Sequence, residues 1–237
     1  MVEQREQPEQ DAARHEGPGR GRAQGQGQRK GGTVEKRQAL LRGARTVFGR
    51  EGYTRAGIDE IAAEAGVSTR TLYNHFGGKA NLFREALIES AAAVTAAHVA
   101  LIERHLTKVT DPEKDLLAFA REWMGRRTEH DAHMRLVRQI IAEGRRLPPD
   151  VIEEWQRTGP RAVTEAVRER LAALGGQGWL RIGPDPAESA EAARYLMLLV
   201  AGGVTTDTFF GVVPMAPEEV DARVVSGVRV FLRLYGV

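Results

Sequence analysis

The stretch AGVSTRTLYNHFGGK, residues 65–79, decides how the first third of this chain folds. Gly66 suits the left-handed stop of a preceding helix. Ser68 then opens a new one, because its hydroxyl can accept from a free amide of the first turn. Val67 and Leu72 stand before the cap and four residues after it, a hydrophobic staple that fixes the entry angle. Leu72 and Phe76 are one turn apart and predict an inward face. Thr69, Arg70, Thr71, Tyr73, Asn74 and His75 then remain as a dense row of hydrogen-bonding side chains. Gly77 and Gly78 close the helix, and Lys79 opens the next.

Upstream, Leu40, Leu41, Ala44, Val47 and Phe48 recur at helical spacing, and that helix is expected to end at Gly52. Ile58, Ile61, Ala62 and Ala65 mark one face of a short second helix. Two short helices joined by a tight glycine-containing turn are the physical form of a helix-turn-helix. The helix that starts at Ser68 is then the one that enters a major groove about 12 Å wide. Arg70 has the fork that matches guanine O6 and N7, while Thr69 and Thr71 offer hydroxyls and a methyl group. Tyr73, His75 and Lys79 are suited to phosphate oxygens, which position a protein without reading sequence.

The charge pattern agrees. The whole chain is only +2, but residues 28–79 hold ten cations against five anions. A basic first third on a mildly acidic body points to a polyanion partner for that third, the alternative being a solvated surface. Residues 1–32 are rich in Gln, Gly and Arg, with almost no large apolar side chain, and are expected to be a disordered basic tail. Its later half is wholly positive (Arg20, Arg22, Arg29, Lys30), as suits an arm along DNA.

Beyond Lys79 the pattern stays helical, with breakers near Asp111-Pro112, Pro148-Pro149, Gly159-Pro160 and residues 175–186. No alternating strand pattern or repeat is visible, so the expected fold is all-α. The boundaries expected are 1–32 for the tail, 33–79 for the DNA-binding domain and 80–237 for a helical regulatory and dimerisation domain. Absence of cysteine excludes disulfides and thiol chemistry. The polar opening predicts no secretory leader, and the longest apolar run, Tyr195–Val204, is too short to span a bilayer. A cytoplasmic protein without a membrane partner is expected.

Phe119, Trp123, Met134 and Trp155 are adaptable apolar groups suited to a cavity wall, although each also suits plain core. Arg138 and Glu143, set among apolar neighbours, are candidates for orienting a polar ligand. His130, Asp131 and His133 have a spacing a metal would accept, but a third ligand is not located, so no metal and no cofactor are expected. Glycines around Lys79 lack the full phosphate-loop pattern. Residues 195–204 are apolar almost all round, and Val224, Val228 and Phe231 belong to a second broad stripe. With Tyr195, Leu199 and Gly203, these are expected to build a two-fold four-helix interface, with intramolecular core as the alternative.

IDEIAAEAGVSTRTLYNHFGGKANLF, residues 58–83, resembles the DNA-binding signature of the TetR family of one-component transcription regulators. The resemblance implies a homodimer, a three-helix DNA-binding domain and a helical C-terminal domain that takes a small-molecule effector. It implies phosphate contacts from Tyr73, His75 and Lys79, and a reading helix bearing Thr69, Arg70, Thr71 and Asn74, capped by Ser68. The second helix departs from the family pattern: Ala56, Gly57 and Ile58 replace a threonine-rich start. Gly57 leaves helix amides open to an anion, and Thr54 or Arg55 is an alternative contact. More loosely, residues 135–160 and 178–203 resemble AefR-like regulatory domains. The expectation is therefore not an enzyme but a ligand-responsive repressor on a palindromic operator in double-stranded DNA. The competing classes are an all-α enzyme using the C-terminal pocket and a constitutive, ligand-free DNA-binding protein.

Overall fold

The computed structural model describes residues 24–125 and 130–237, with side chains from residue 32 onward. The elements in chain order are α1 (Gln24–Arg55), α2 (Ile58–Glu64), α3 (Thr69–Phe76), α4 (Lys79–Leu106), α5 (Pro112–Gly125) and α6 (Asp131–Glu143). They continue with α7 (Pro149–Gln156), α8 (Ala162–Gly176), α9 (Pro186–Met197), α10 (Gly203–Asp207) and α11 (Pro217–Tyr235). The fold is all-α. Among the described residues extended pairing is confined to one isolated bridge, Leu180 with Gly236, which ties the loop after α8 to the C-terminus.

α1 begins earlier than expected. The backbone from Gln24 is helical, inside the stretch read as a disordered tail, and residues 1–23 lie outside the described residues. Helix extension adds one bond per residue fixed, so a packed segment can carry a poor one before it. The expected stop at Gly52 is present as a break within α1, with φ +80° and ψ 170°. Such a backbone favours glycine.

Lys36–Val237 is one compact unit, and Met1–Glu35 forms another. Within the larger unit the expected boundary at 79/80 is not a packing boundary. One core cluster joins Leu40, Leu41, Val47 and Phe48 of α1 to Ile61, Leu72 and Phe76 of α2 and α3 and to Leu82, Phe83 and Leu87 of α4. The same cluster takes in Leu136, Val137 and Ile140 of α6 and Trp155 of α7. Phe48 and Phe83 meet edge to face at 5.0 Å. Burying each such side chain contributes about 1.5–3 kcal/mol, so the helix-turn-helix is held from behind by the regulatory helices.

The second core cluster lies among the far half of α4 (Leu101, Ile102, Leu106), α5, α8, α9, α10 and α11. α4 is long and apolar enough to cross a membrane by length and composition alone. Its apolar residues instead fill both cores, Leu82, Phe83, Ala86 and Leu87 at one end and Leu101 and Ile102 at the other. Between α7 and α8, Pro160 has no amide to donate, and residues 157–161 widen into a π-helical turn. Thr95 of α4 donates to the Thr158 carbonyl there, at 2.9 Å. A second π turn, Leu198–Gly202, separates α9 from α10.

Candidate nucleic-acid interface and effector cavity

α3 forms as its sequence requires. The Ser68 hydroxyl accepts from the Thr71 amide at 3.2 Å and lies 2.9 Å from the Thr71 hydroxyl. Leu72 and Phe76 are buried, and Gly77 caps the other end by donating to the Tyr73 carbonyl at 2.8 Å. The exposed residues left over, Arg70, Tyr73 and Asn74, are spaced three and four apart and share one face. Thr69, Thr71 and His75 flank it, half-buried. Ser68 and Thr71 hold each other and the helix start.

Two expected phosphate contacts have other partners. The Lys79 ammonium donates to the Thr54 carbonyl at 3.2 Å and sits 5.0 Å above the Tyr53 ring. Burial lowers its pKa from the ordinary lysine value, and the nearby Glu143 carboxylate partly offsets this. Gly57 has the extended geometry of a cap, but Asp59 and Glu60 fill the exposed first turn behind it and repel an anion. Glu60 also holds Arg50 at 2.5 Å. Thr54 is engaged as well: its amide and hydroxyl donate to Glu143 Oε2 at 2.9 and 2.6 Å. Glu143 is thus not a cavity group, and nothing in its spacing could have revealed a partner 89 residues away.

α6 carries that contact to the other end of the molecule. A cavity of about 840 Å³ is lined from α4, α5, α6, α10, α11 and the turn between α10 and α11. Its wall includes Trp123, Met124, Met134, Phe210, Met215 and Val220, with His98, His130, Asp131 and Thr205 as polar groups. His98 stacks on Trp123 at 4.0 Å, and His130 meets His98 edge on at 5.3 Å. Arg121 grips Asp221 with two hydrogen bonds, 2.6 and 3.2 Å.

Of the residues expected to touch a ligand, Trp123 and Met134 line the cavity. Phe119 is fully buried behind Trp123, and Trp155 packs in the other core beside α4. Arg138 is not on the wall; its guanidinium donates to the Phe210 carbonyl at 2.7 Å. His98 is the wall residue whose signal was available, a lone histidine within the apolar run of α4. His133 turns away from His130 and Asp131 to reach the Ser90 hydroxyl at 3.0 Å. Burial, with a smaller contribution from His130, lowers its pKa to about 4. No cluster of three metal-ligating side chains occurs among the described residues.

The expected dimerisation set divides. Val224, Val228 and Phe231 are 0–1% exposed inside the single chain, against α5 and α9, so the α11 stripe is intramolecular core. Leu199 packs partly on that core. Tyr195 and Gly203 are exposed, as is Leu198 between them.

The chain matches two family models, that of bacterial regulatory proteins of the tetR family over residues 40–86 and that of the AefR-like transcriptional repressor C-terminal domain over residues 114–237. It is 31% identical over 183 residues to the HTH-type transcriptional regulator BetI 2 of Chromohalobacter salexigens, covering 68% of this chain and 84% of that one. It is likewise 31% identical over 151 residues to the HTH-type transcriptional repressor AcnR of Corynebacterium efficiens, covering 62% and 70%. A crystal structure described as a TetR-family transcriptional regulator from Mesorhizobium loti superposes with TM-score 0.77 at 25% identity, over 86% of this chain and 98% of that one. With the helix-turn-helix at one end and the AefR-like region at the other, the chain belongs to the TetR family of DNA-binding transcriptional regulators.

Proposed function

We propose that the protein is a cytoplasmic repressor that binds a pseudo-palindromic operator as a homodimer and leaves it when a small molecule fills the cavity. One observation carries this reading: a single helix, α6, walls the cavity with Asp131 and Met134 and holds the turn before the helix-turn-helix with Glu143. A ligand that moves α6 therefore acts directly on Thr54 and, through its carbonyl, on Lys79.

Arg70, Tyr73 and Asn74 are the groups for base edges and phosphates, with Thr69, Thr71 and His75 beside them. Ser68 and Lys79 act by fixing the two helix starts. The surface available to a second copy is the exposed Tyr195, Leu198 and Gly203 ridge of α9 and α10. Two reading helices would then enter major grooves about 34–36 Å apart. Effector coupling of this kind is about 1–3 kcal/mol and reciprocal, so DNA weakens the ligand by the same factor.

Selection of bound duplexes from random DNA tests the reading. Two inverted half-sites about one helical turn apart are expected. A single unpaired half-site would remove the dimer, and no enrichment at moderate salt would remove sequence-specific binding.

A further inference from the structure

The turn from Thr208 to Val213 has a backbone unlike the rest of the molecule. Phe209 and Phe210 both have positive φ, 48° and 55°, the only non-glycine residues to do so among those described. Two successive aromatic side chains in the left-handed region are strained, because Cβ crowds the following carbonyl. Local bonds shape the turn: the Phe210 amide donates to Thr205, and the Gly211 and Val213 amides donate to Thr208. The long-range bond reaching it comes from Arg138 on α6, which donates to the Phe210 carbonyl at 2.7 Å. The Arg138 guanidinium also lies 3.8 Å from Asp131, itself on the cavity wall.

The turn also forms part of that wall, through Thr208, Phe210, Gly211 and Val213. Phe209 and Val212 project outward, 66% and 57% exposed, although both are large apolar side chains. A segment that is strained, tied from one side and placed between solvent and an apolar cavity has the attributes of a door.

We infer that the Thr208–Val213 turn is a strap that closes the effector cavity, that Arg138 is its latch, and that a ligand enters by breaking the Arg138–Phe210 bond. The inference rests on the cavity being the effector site. Because the latch stands on α6, opening the strap and loosening α6 are one event. Arg138 is a positioning residue: it holds the wall and does not touch the ligand in the closed form.

The test follows uptake of Nile red, a neutral dye that brightens in apolar surroundings, by stopped-flow fluorescence on the full chain. Arg138→Gln removes the charged fork and should speed uptake at least tenfold. Arg138→Lys, which keeps one donor, should fall between the two and guards against a fold defect in the first variant. Phe209→Asn changes an exposed side chain to one that tolerates positive φ, so it should slow uptake several-fold. Val220→Trp and Met215→Trp, each filling the cavity, should abolish the signal. Equal rates in wild type, Arg138→Gln and Phe209→Asn would overturn the strap while leaving the cavity standing. Uptake that ignores both tryptophan variants would overturn the cavity reading, and the strap with it.

Discussion

Acid should loosen the tie between α4 and α6, and the loss can be worked out from one side chain. His133 of α6 meets Ser90 of α4, and burial lowers its pKa from 6.5 to about 4. The folded form therefore holds the imidazole neutral, whereas the unfolded chain binds a proton at about pH 6.5. A base whose pKa falls on folding contributes stability that is present above the unfolded value and lost as pH drops toward the folded one. Full loss across that window is about 3.4 kcal/mol, from about 2.5 pKa units at 1.36 kcal/mol each. Between pH 7 and pH 5 the share is about 2 kcal/mol. Urea denaturation at both pH values measures it, and His133→Gln isolates it, since glutamine keeps a hydrogen bond to Ser90 and does not titrate. Wild type should lose about 2 kcal/mol more than the variant between the two pH values. Parallel losses would mean that His133 is solvated in the folded chain, and the α4–α6 contact would need another account.

The Thr54–Glu143 tie should appear as a coupling energy of about 0.5–1.5 kcal/mol in a double-mutant cycle of Thr54→Val and Glu143→Ala, read by urea denaturation; simple additivity would remove the bond from the coupling route. Arg70→Ala should cost about 1–3 kcal/mol on the selected duplex and little on scrambled DNA, whereas Lys79→Ala should weaken both and also lower the melting temperature, because it releases Thr54. If Arg70→Ala weakens both duplexes equally, Arg70 is a phosphate contact. Gly227→Ala places a Cβ against the Leu199 carbonyl and should destabilise by about 1–3 kcal/mol or more; an unchanged urea midpoint would mean that α11 can move away from the π turn without cost.

What the sequence made readable was whatever a local pattern decides. α3 was legible because cap, staple and inward pair lie within nine residues, and each is a short-range physical rule. The α11 stripe was legible as apolar but not as to its partner. Val224, Val228 and Phe231 face α5 and α9 of their own chain, yet the same spacing would serve a second copy equally well. The same limit separates Trp123 from Trp155: both are large, adaptable and nearly buried, and only the packing of α5 against α4 and α11 puts one on a cavity and the other in a core. The contacts that make a cavity matter to a DNA-binding helix were the least readable of all. Arg138 reaches residue 210 and Glu143 reaches residue 54, both from the polar side of one 13-residue helix. To a pattern reader α6 is an ordinary amphipathic helix. Its polar residues look like solvated surface until the elements 72 and 89 positions away are folded against them. Coupling between distant sites needs such long-range bonds, so the regulatory part of this molecule lies in the residues whose local sequence context is least distinctive.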